Sequence, residues 1–593
     1  MKLKSIIAPS LILGSLMFAV TSCGDFFDQD SEQVIYADKG HLGNATDTIY
    51  SVTGILDKLQ NLSDRTILLG ELRGDLMDIN STTSSDLRDI ALFQIGDSNV
   101  YNSPRDYYAV INNCNYFIAK VDTALKNNRN EYIFMREYAA VKAFRAWTYL
   151  QLVINYGRVP FVTEPILSKE EADRDHATKD IREVCDYLIA DIAPYADIET
   201  PNYGEIRNTD SKLFYFPIYI LLGDLNLWAG HYKEAAVAYY KYLSTRNGAE
   251  SAYPTSINCS RWYNVGSNWQ MTNDSWSANM FMSESMSQNG ELITMIPGDS
   301  IPSEGNYSEL RNIFNSSGDN NYKVSAQPSQ RIIEISAAQK YCDVSYPAKK
   351  VVYAPEGLQY LRTGDLRLFS IWNSPATGLT FMSDGKIIKD FSSLVKYSSR
   401  NVHIYRRTMV YLRLAEALNR AGYPRFAFQI LKRGLNNSVI EEHVLPYYPE
   451  SEAWIRQFDF PNLKYVLLSD YDADENTMGI HSRGSGRTDV NEYYEMPDDT
   501  LETDPAVRLN YQIEKVEDLI MQEEALEFAF EGYRFYDLMR VALRRNDPSY
   551  LADKVYQRKG AENVGVMRAA IRCDLTDTRN WYLNWNDKIG LGY

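Results

Sequence analysis

The strongest constraint on this chain is a set of helices whose apolar faces must be covered by other helices. Ala140, Ala143, Phe144, Trp147 and Leu150 fall on one face of a helix expected near 136–153. Ile218, Leu221, Leu222 and Leu225 repeat the pattern up to Gly230, and Tyr232, Ala235, Ala236 and Tyr239 begin a second helix running to about Leu243. The arrangement returns as Tyr411, Leu414, Ala415 and Leu418, a turn at Gly422-Tyr423, then Ala427, Ile430 and Leu431. A further helix is expected to carry Leu526, Ala529, Phe530 and Tyr533. In WAGHYKEA (228–235) and NRAGYPRFA (419–427) a glycine ends one helix and an aromatic residue and small residues open the next. Glycine supplies the left-handed cap, and the small residues let two antiparallel helices approach closely.

This local design resembles the tetratricopeptide helix–turn–helix, but the two glycines lie much further apart than one repeat of roughly 34 residues. The expected fold is therefore mainly α: scattered tetratricopeptide-like helix pairs forming a scaffold, with large irregular loop insertions and a few short strands. The main insertion, 244–403, is rich in Asn, Ser, Gly and Pro, with short apolar runs such as ELITMI (291–296) and RIIEI (331–335) that read as brief extended segments. Insertions of this length are usually functional. A second irregular stretch covers about 445–510.

Residues 1–22 read as an export signal: Lys2 and Lys4, an apolar run from Ile6 to Val20, then Thr21-Ser22 before Cys23. Small residues ahead of a cysteine resemble a bacterial lipobox, which makes Cys23 the expected lipidation site. Each buried methylene of such an anchor contributes about 0.8 kcal/mol, so several acyl chains hold stably. No later segment reads as a membrane span; LFYFPIYILLG (213–223) is too short and contains Pro217. The other five cysteines, Cys114, Cys185, Cys259, Cys342 and Cys573, are scattered with no CxxC, so free thiols are expected, with a Cys259–Cys342 bridge as the alternative. A net charge of −17 and no basic cluster longer than a pair exclude a nucleic-acid stripe.

No catalytic constellation stands out. The six histidines are never at metal-ligand spacing, and HExxH and GxSxG are absent. The chain is read as a non-enzyme without cofactor or bound metal; distant glycosidase carboxylates keep a secreted hydrolase as an alternative, and a protein-binding helical scaffold is another. Glu523, Glu527 and Glu531 share a helix face, which reads as a salt-bridged helix face, its like charges offset by Arg534, Arg540 or arginines of another helix, rather than an acid/base cluster. Asp472, Asp474 and Asn476 open like a calcium loop, but Thr477 and Arg483 stand where glycine and glutamate are needed, which excludes an EF-hand and leaves an acidic solvated loop as the expectation. Aromatic residues make 13% of the chain, and CSRWYNVGSNWQMTNDSWSANMF (259–281) holds Trp262, Trp269 and Trp276. Seven-residue spacing fits one helix face, but Asn264, Gly266, Asn268, Asn273 and Asp274 favour a loop. Loop tryptophans flanked by amides suit sugars, whose C–H faces stack on indoles while amides bind hydroxyls; hydrophobic anchoring of the loop is the competing reading.

Three longer segments carry a family resemblance. REYAAVKAFRAWTYLQLVINYGRVPFVTEP (136–165), YRRTMVYLRLAEALNRAG (405–422) and EALEFAFEGYRFYDLMR (524–540) are similar, in order, to signatures of the SusD/RagB family of nutrient-binding outer-membrane lipoproteins. GELRGD (70–75), YYAVINNCNYF (107–117), GDLRL (364–368) and VKY (395–397) match more weakly, and WYLNWNDKIGLGY (581–593) only loosely. The resemblance implies one SusD-like domain over 23–593, with scaffold at 40–243 and 404–545 and a ligand-side insertion at 244–403. It implies a surface lipoprotein, anchored by lipid only, that binds an oligosaccharide or oligopeptide and forms the lid of a TonB-dependent SusC-like β-barrel transporter. A glycan is favoured on the aromatic content. Expected ligand residues are Trp262, Tyr263, Trp269, Trp276 and Trp372, with Tyr101, Arg73 and Asp75 added from the N-terminal region that family sites often use.

Overall fold

A computed structural model of the 593-residue chain describes residues 48–206, 209–247, 250–251, 259–272, 291–298, 307–315, 324–355, 364–374, 382–383, 386–387, 392–461, 468–469 and 477–584. Ten helices position the features that matter here: α1 (Ser63–Glu71), α2 (Pro104–Lys120), α3 (Met135–Tyr156), α4 (Ile181–Ile192), α5 (Ile218–Ala229), α6 (Tyr232–Ser244), α7 (Arg407–Arg420), α8 (Pro424–Lys432), α9 (Pro505–Glu527) and α10 (Arg534–Arg545). Eight of them pack in a continuous series: α2 on α3, α3 on α4, α4 on α5, α5 on α6, α6 on α7, and α7 on both α8 and α9. The series steps directly from α6 to α7, so the long insertion leaves the scaffold and returns to it beside the helix it left.

The helix-pair turns form as the sequence requires. Gly230 caps α5 in the left-handed region at φ 86°, and its N–H donates to the carbonyl of Asn226. At the opposite end of α5 Trp147 stacks on Phe216 at 4.8 Å between centroids, and Phe216 meets Tyr405 edge-on at 6.0 Å. α3 is buried over almost its whole length, Lys142, Arg145 and Asn155 included, which marks it as a central helix rather than a surface one.

Short strands close the insertion at its base. β3 (Leu292–Ile296) pairs antiparallel with β6 (Val402–Arg406), so residues more than a hundred positions apart meet side by side. The hairpin β1 (Arg261–Val265) and β2 (Asn268–Thr272) packs on β4 (Cys342–Ser345), which pairs with β5 (Lys350–Tyr353).

Three expectations need correction, and the expected free thiols at Cys259 and Cys342 are found. RIIEI (331–335) is helical, within Gln330–Ala337, because Ile332, Ile335 and Ser336 fall on one buried side and the Ser329 hydroxyl accepts the Ile332 N–H at 3.3 Å. The helix expected through Leu526 to Tyr533 breaks after Glu527. Phe530 and Gly532 there take left-handed φ values of 73° and 89°, and Gly532 lies so close to α1 that any Cβ would strike the Thr66 carbonyl at 2.7 Å. Trp262 and Trp269 sit on neither helix nor loop but on β1 and β2, across a two-residue turn at Gly266-Ser267. Cys259 and Cys342 are free thiols as expected, not the alternative bridge: Cys259 Sγ lies 3.1 Å from the Ser370 hydroxyl, and Cys342 Sγ donates to the Arg487 carbonyl at 3.0 Å.

One buried acid makes stability pH-dependent. Glu71 at the end of α1 is fully buried; one oxygen accepts the Gly532 N–H at 2.8 Å and the other has no partner. Burial pushes its carboxyl from the ordinary 4.5 up to about 7. The folded chain therefore holds a proton there that the unfolded chain has lost between pH 4.5 and 7, so this contribution is complete below 4.5 and disappears as pH rises through 7. Glu71→Gln keeps the neutral shape at every pH. Urea unfolding at pH 5 and pH 8 should show the variant gaining on wild type at pH 8, by an amount on the order of 2–3 kcal/mol; parallel pH profiles for the two proteins would contradict this.

Candidate functional site

Charged residues from segments remote in sequence converge in the interior. Glu527, at the end of α9, accepts from Arg406 at 2.7 Å and Arg367 at 2.9 Å, and also pairs with Arg483. Glu523, one turn earlier, binds Arg367 at 2.5 Å and His481 Nδ1 at 2.7 Å, and Glu531 binds Arg406 and Lys396. Burial raises the pKa of the Glu527 carboxyl, but the guanidiniums of Arg483, Arg406 and Arg367 outweigh it and hold the group well below the usual carboxylate range. Glu523 and Glu531 are likewise held low by their cations against burial. Salt-bridged acids are what the sequence suggested, and their partners are arginines from other elements. An ionised acid locked between fixed cations is poorly suited to proton transfer at neutral pH.

Arg73 and Asp75, expected to meet ligand, belong to the same kind of interior. Arg73 donates to the carbonyls of Leu69 and Trp581 at 2.8 Å and to Asn155 at 2.6 Å, with its guanidinium 4.1 Å from the centre of the Phe535 ring. Asp75 accepts from Arg534 at 2.6 and 3.0 Å and is wholly buried. Trp372 is also a packing residue: it is buried, and its indole N–H donates to Ser392 Oγ at 2.9 Å. All three are corrections, and the cause is the same. A polar or aromatic side chain in an irregular segment can be satisfied by distant parts of the chain that the sequence does not show to be near.

Of the remaining expected residues, Trp262, Tyr263 and Tyr101 line two separate cavities that share no lining residue. One, of about 300 Å³, sits beneath the β1–β2 hairpin, lined by Trp262 and Tyr263 together with Tyr341, Tyr346 and Asn264. The register Trp262↔Met271 and Asn264↔Trp269 puts both tryptophans and Asn264 on one hairpin face. That face packs inward: Trp269 meets Tyr341 edge-on at 6.2 Å, and the Tyr341 hydroxyl donates to the Trp262 carbonyl at 2.5 Å. Both indoles are half-buried. Asn264 is 5% exposed, and its side-chain oxygen has no hydrogen-bond partner.

The second cavity, of about 210 Å³, contains Tyr101. Tyr307 faces it from the insertion, with Gln60, Asn61, Ser63 and Asp64 contributed by the start of α1 and the residues before it. The Arg400 guanidinium lies 3.3 Å from the centre of the Tyr307 ring. Asp64 fixes the insertion to α1 by accepting the Ser308 hydroxyl at 2.7 Å and the Glu309 N–H at 2.8 Å. Burial pushes the Tyr101 hydroxyl up, so it stays a protonated donor. Tyr307, Gln60 and Asn61 were missed in the sequence; a lone tyrosine in an insertion and two amides between helices carry no distinguishing pattern. Trp276, Asp472, Asp474, Asn476 and Cys23 lie outside the described residues. Among the described residues no group of three or more His, Cys, Asp or Glu could hold a metal ion, and no helix is long and apolar enough to cross a membrane.

Comparison with known proteins agrees with this architecture. Residues 488–583 match the model of the SusD family (SusD_RagB). A SusD superfamily protein from Bacteroides vulgatus superposes with a TM-score of 0.56 at 16% identity, covering 91% of this chain and 95% of its own. A SusD-like protein from Bacteroides fragilis gives 0.55 at 17% identity, covering 85% and 88%. A SusD-like carbohydrate-binding protein from the same organism gives 0.51 at 13% identity, with the same coverage of 85% and 88%. No curated protein matches by sequence.

The assignment of Trp372 to packing is testable. Trp372→Ala should destabilise the chain by about 3–5 kcal/mol in chemical denaturation. A variant that unfolds at the wild-type midpoint would return Trp372 to the list of exposed candidates.

Proposed function

We propose, from the premise that this chain has a SusD-like fold over 91% of its length and matches the SusD family model over 488–583, that it is a non-catalytic, cell-surface lipoprotein which binds an oligosaccharide. The observation that carries the ligand class is the Tyr101–Tyr307 cavity. It offers two half-buried phenol rings, and neither hydroxyl has a hydrogen-bond partner among the described residues; the Asn61 amide beside them is exposed. Ring faces for C–H stacking, with free hydroxyls and an amide for sugar hydroxyls, are the components a neutral glycan needs. The hairpin cavity with Trp262 and Tyr263 is a second aromatic site of the same chain, and Trp269 supports it through Tyr341. A carbohydrate-binding relative among the structural neighbours supports the same class. An oligopeptide is the alternative ligand.

Lipidation at Cys23 would place the protein on the outer membrane, and the family resemblance supports a role as the lid of a TonB-dependent SusC-like barrel. The paired, enclosed state of Glu523, Glu527 and Glu531 supports binding without hydrolysis.

Two experiments test this reading. Tyr101→Phe removes only an unpartnered hydroxyl, and Tyr307→Ala removes one ring from the cavity. In glycan titrations the first should weaken binding several-fold and the second by at least about tenfold, near 1.4 kcal/mol. Unchanged affinity in both variants would place the ligand elsewhere. Cys23→Ala should move the protein from the membrane fraction to the soluble fraction in cells lacking the barrel, and continued membrane association there would sink the lipoprotein assignment.

A further inference from the structure

The residues of the Tyr101–Tyr307 cavity are graded in exposure, which gives the space a floor and a mouth. Ser63 and Arg65 are buried at its base, Asp64, Tyr101 and Tyr307 are half-buried along its sides, and Asn61 and Val100 are exposed at its rim, Val100 by 62%. Its volume of about 210 Å³ falls below the roughly 300–1,000 Å³ of sites that enclose drug-sized molecules. One pyranose ring fits such a space and a second does not. The Arg400 guanidinium lies against Tyr307 from outside the cavity, so it covers one face of that ring and leaves the other for a single stacked partner.

The charges around this space are not balanced. Arg65 is committed to the Asp106 carboxylate and to the Ser103 carbonyl at 2.9 Å. Asp64 accepts from the Ser308 hydroxyl and the Glu309 N–H, with a long contact from the Ser63 hydroxyl at 3.5 Å, and makes no salt bridge among the described residues. A carboxylate accepts at about four positions, so Asp64 has capacity left. Burial, and after it the Asp64 carboxylate, push the Tyr101 hydroxyl up, so a donor and an acceptor border the same space. A sugar hydroxyl satisfies both, donating to Asp64 and accepting from Tyr101. An ammonium can only donate, and a carboxylate can only accept.

We propose that this cavity reads the end of a glycan chain. One neutral terminal unit enters, a hydroxyl of that unit bridges Asp64 and Tyr101, and its ring lies on Tyr307. The following units leave over Asn61 and Val100. An anionic terminal unit is rejected, because it brings a second negative charge to Asp64. This rests on the glycan-binding reading and deepens it, since an open groove would instead hold internal units of a chain.

The test titrates the full chain with neutral glucan, mannan, xylan and galactan oligosaccharides of one to four units. In a series that binds, affinity should change by no more than about twofold beyond the second unit. On the four-unit member, reduction of the reducing end to an alditol and O-methylation of the opposite terminal unit should differ sharply. The modification at the entering end should cost about tenfold, and the other no more than about twofold. Oxidation of the entering hexose unit to its uronate should cost about tenfold as well. Tyr101→Phe should weaken the unmodified chain several-fold yet leave the end-blocked chain within about twofold, because both changes remove the same contact. Affinity that rises with every added unit while both ends tolerate modification overturns the chain-end site and leaves glycan binding standing. So does a Tyr101→Phe loss that is equal on blocked and unblocked chains, or binding that Tyr307→Ala leaves unchanged. Binding of peptides with no glycan bound overturns both.

Discussion

The Glu527 carboxylate is the point on which this structure depends. It is enclosed by Arg367, Arg406 and Arg483, which come from the insertion, from the strand that returns the insertion to the scaffold, and from the irregular segment before α9. Taking such a group out of water costs several kcal/mol before any pairing is counted, and pairing offsets this only with good geometry and complete hydrogen bonding. Glu291 and Glu531 complete the arginines' hydrogen bonds, and Thr408 donates to Glu291 at 2.6 Å. A half-formed network leaves an uncompensated charge, so the three segments are held together or not at all.

That requirement explains how a long irregular insertion is seated precisely enough to build cavities. The β3–β6 pair closes its base, Arg406 stands at the end of β6, and the Arg407 N–H donates to the Glu291 carbonyl at 2.9 Å. Asp365 and Arg367 anchor a second point of the insertion on α9, and Asp64 anchors a third on α1. The candidate cavities lie beside these anchors. Tyr307 precedes Ser308, which is tied to Asp64, and the hairpin cavity borders Arg483, which is tied to Glu527.

The helix pairs were readable because a period of 3.6 residues is a local property, and α5, α6, α7 and α8 occupy the segments their apolar spacing marks. Extended segments were read less well. ELITMI is a strand, whereas RIIEI is a helix, since five residues do not separate the two periods. Site residues were hardest. Arg73, Asp75 and Trp372 have the chemistry of ligand contacts, and what removes them from solvent is contact with Asn155, Arg534 and Ser392 respectively.

By itself the sequence determined the helical scaffold, the glycine-capped turns, the absence of a basic stripe and the family resemblance. Each of these is carried by residues a few positions apart or by composition. The tertiary structure decided which charges are buried and which stay available. GELRGD, GDLRL, VKY and HSRGSGR (481–487) are charged segments of the sequence, and the fold pairs their Asp75 with Arg534, Arg367 with Glu523, Lys396 with Glu531 and Arg483 with Glu527, partners 44 to 459 positions away. Arg261, of the same residue type, remains exposed without a partner. Pairing energy depends on distances of a few ångströms between segments remote in sequence, and only folding sets those distances.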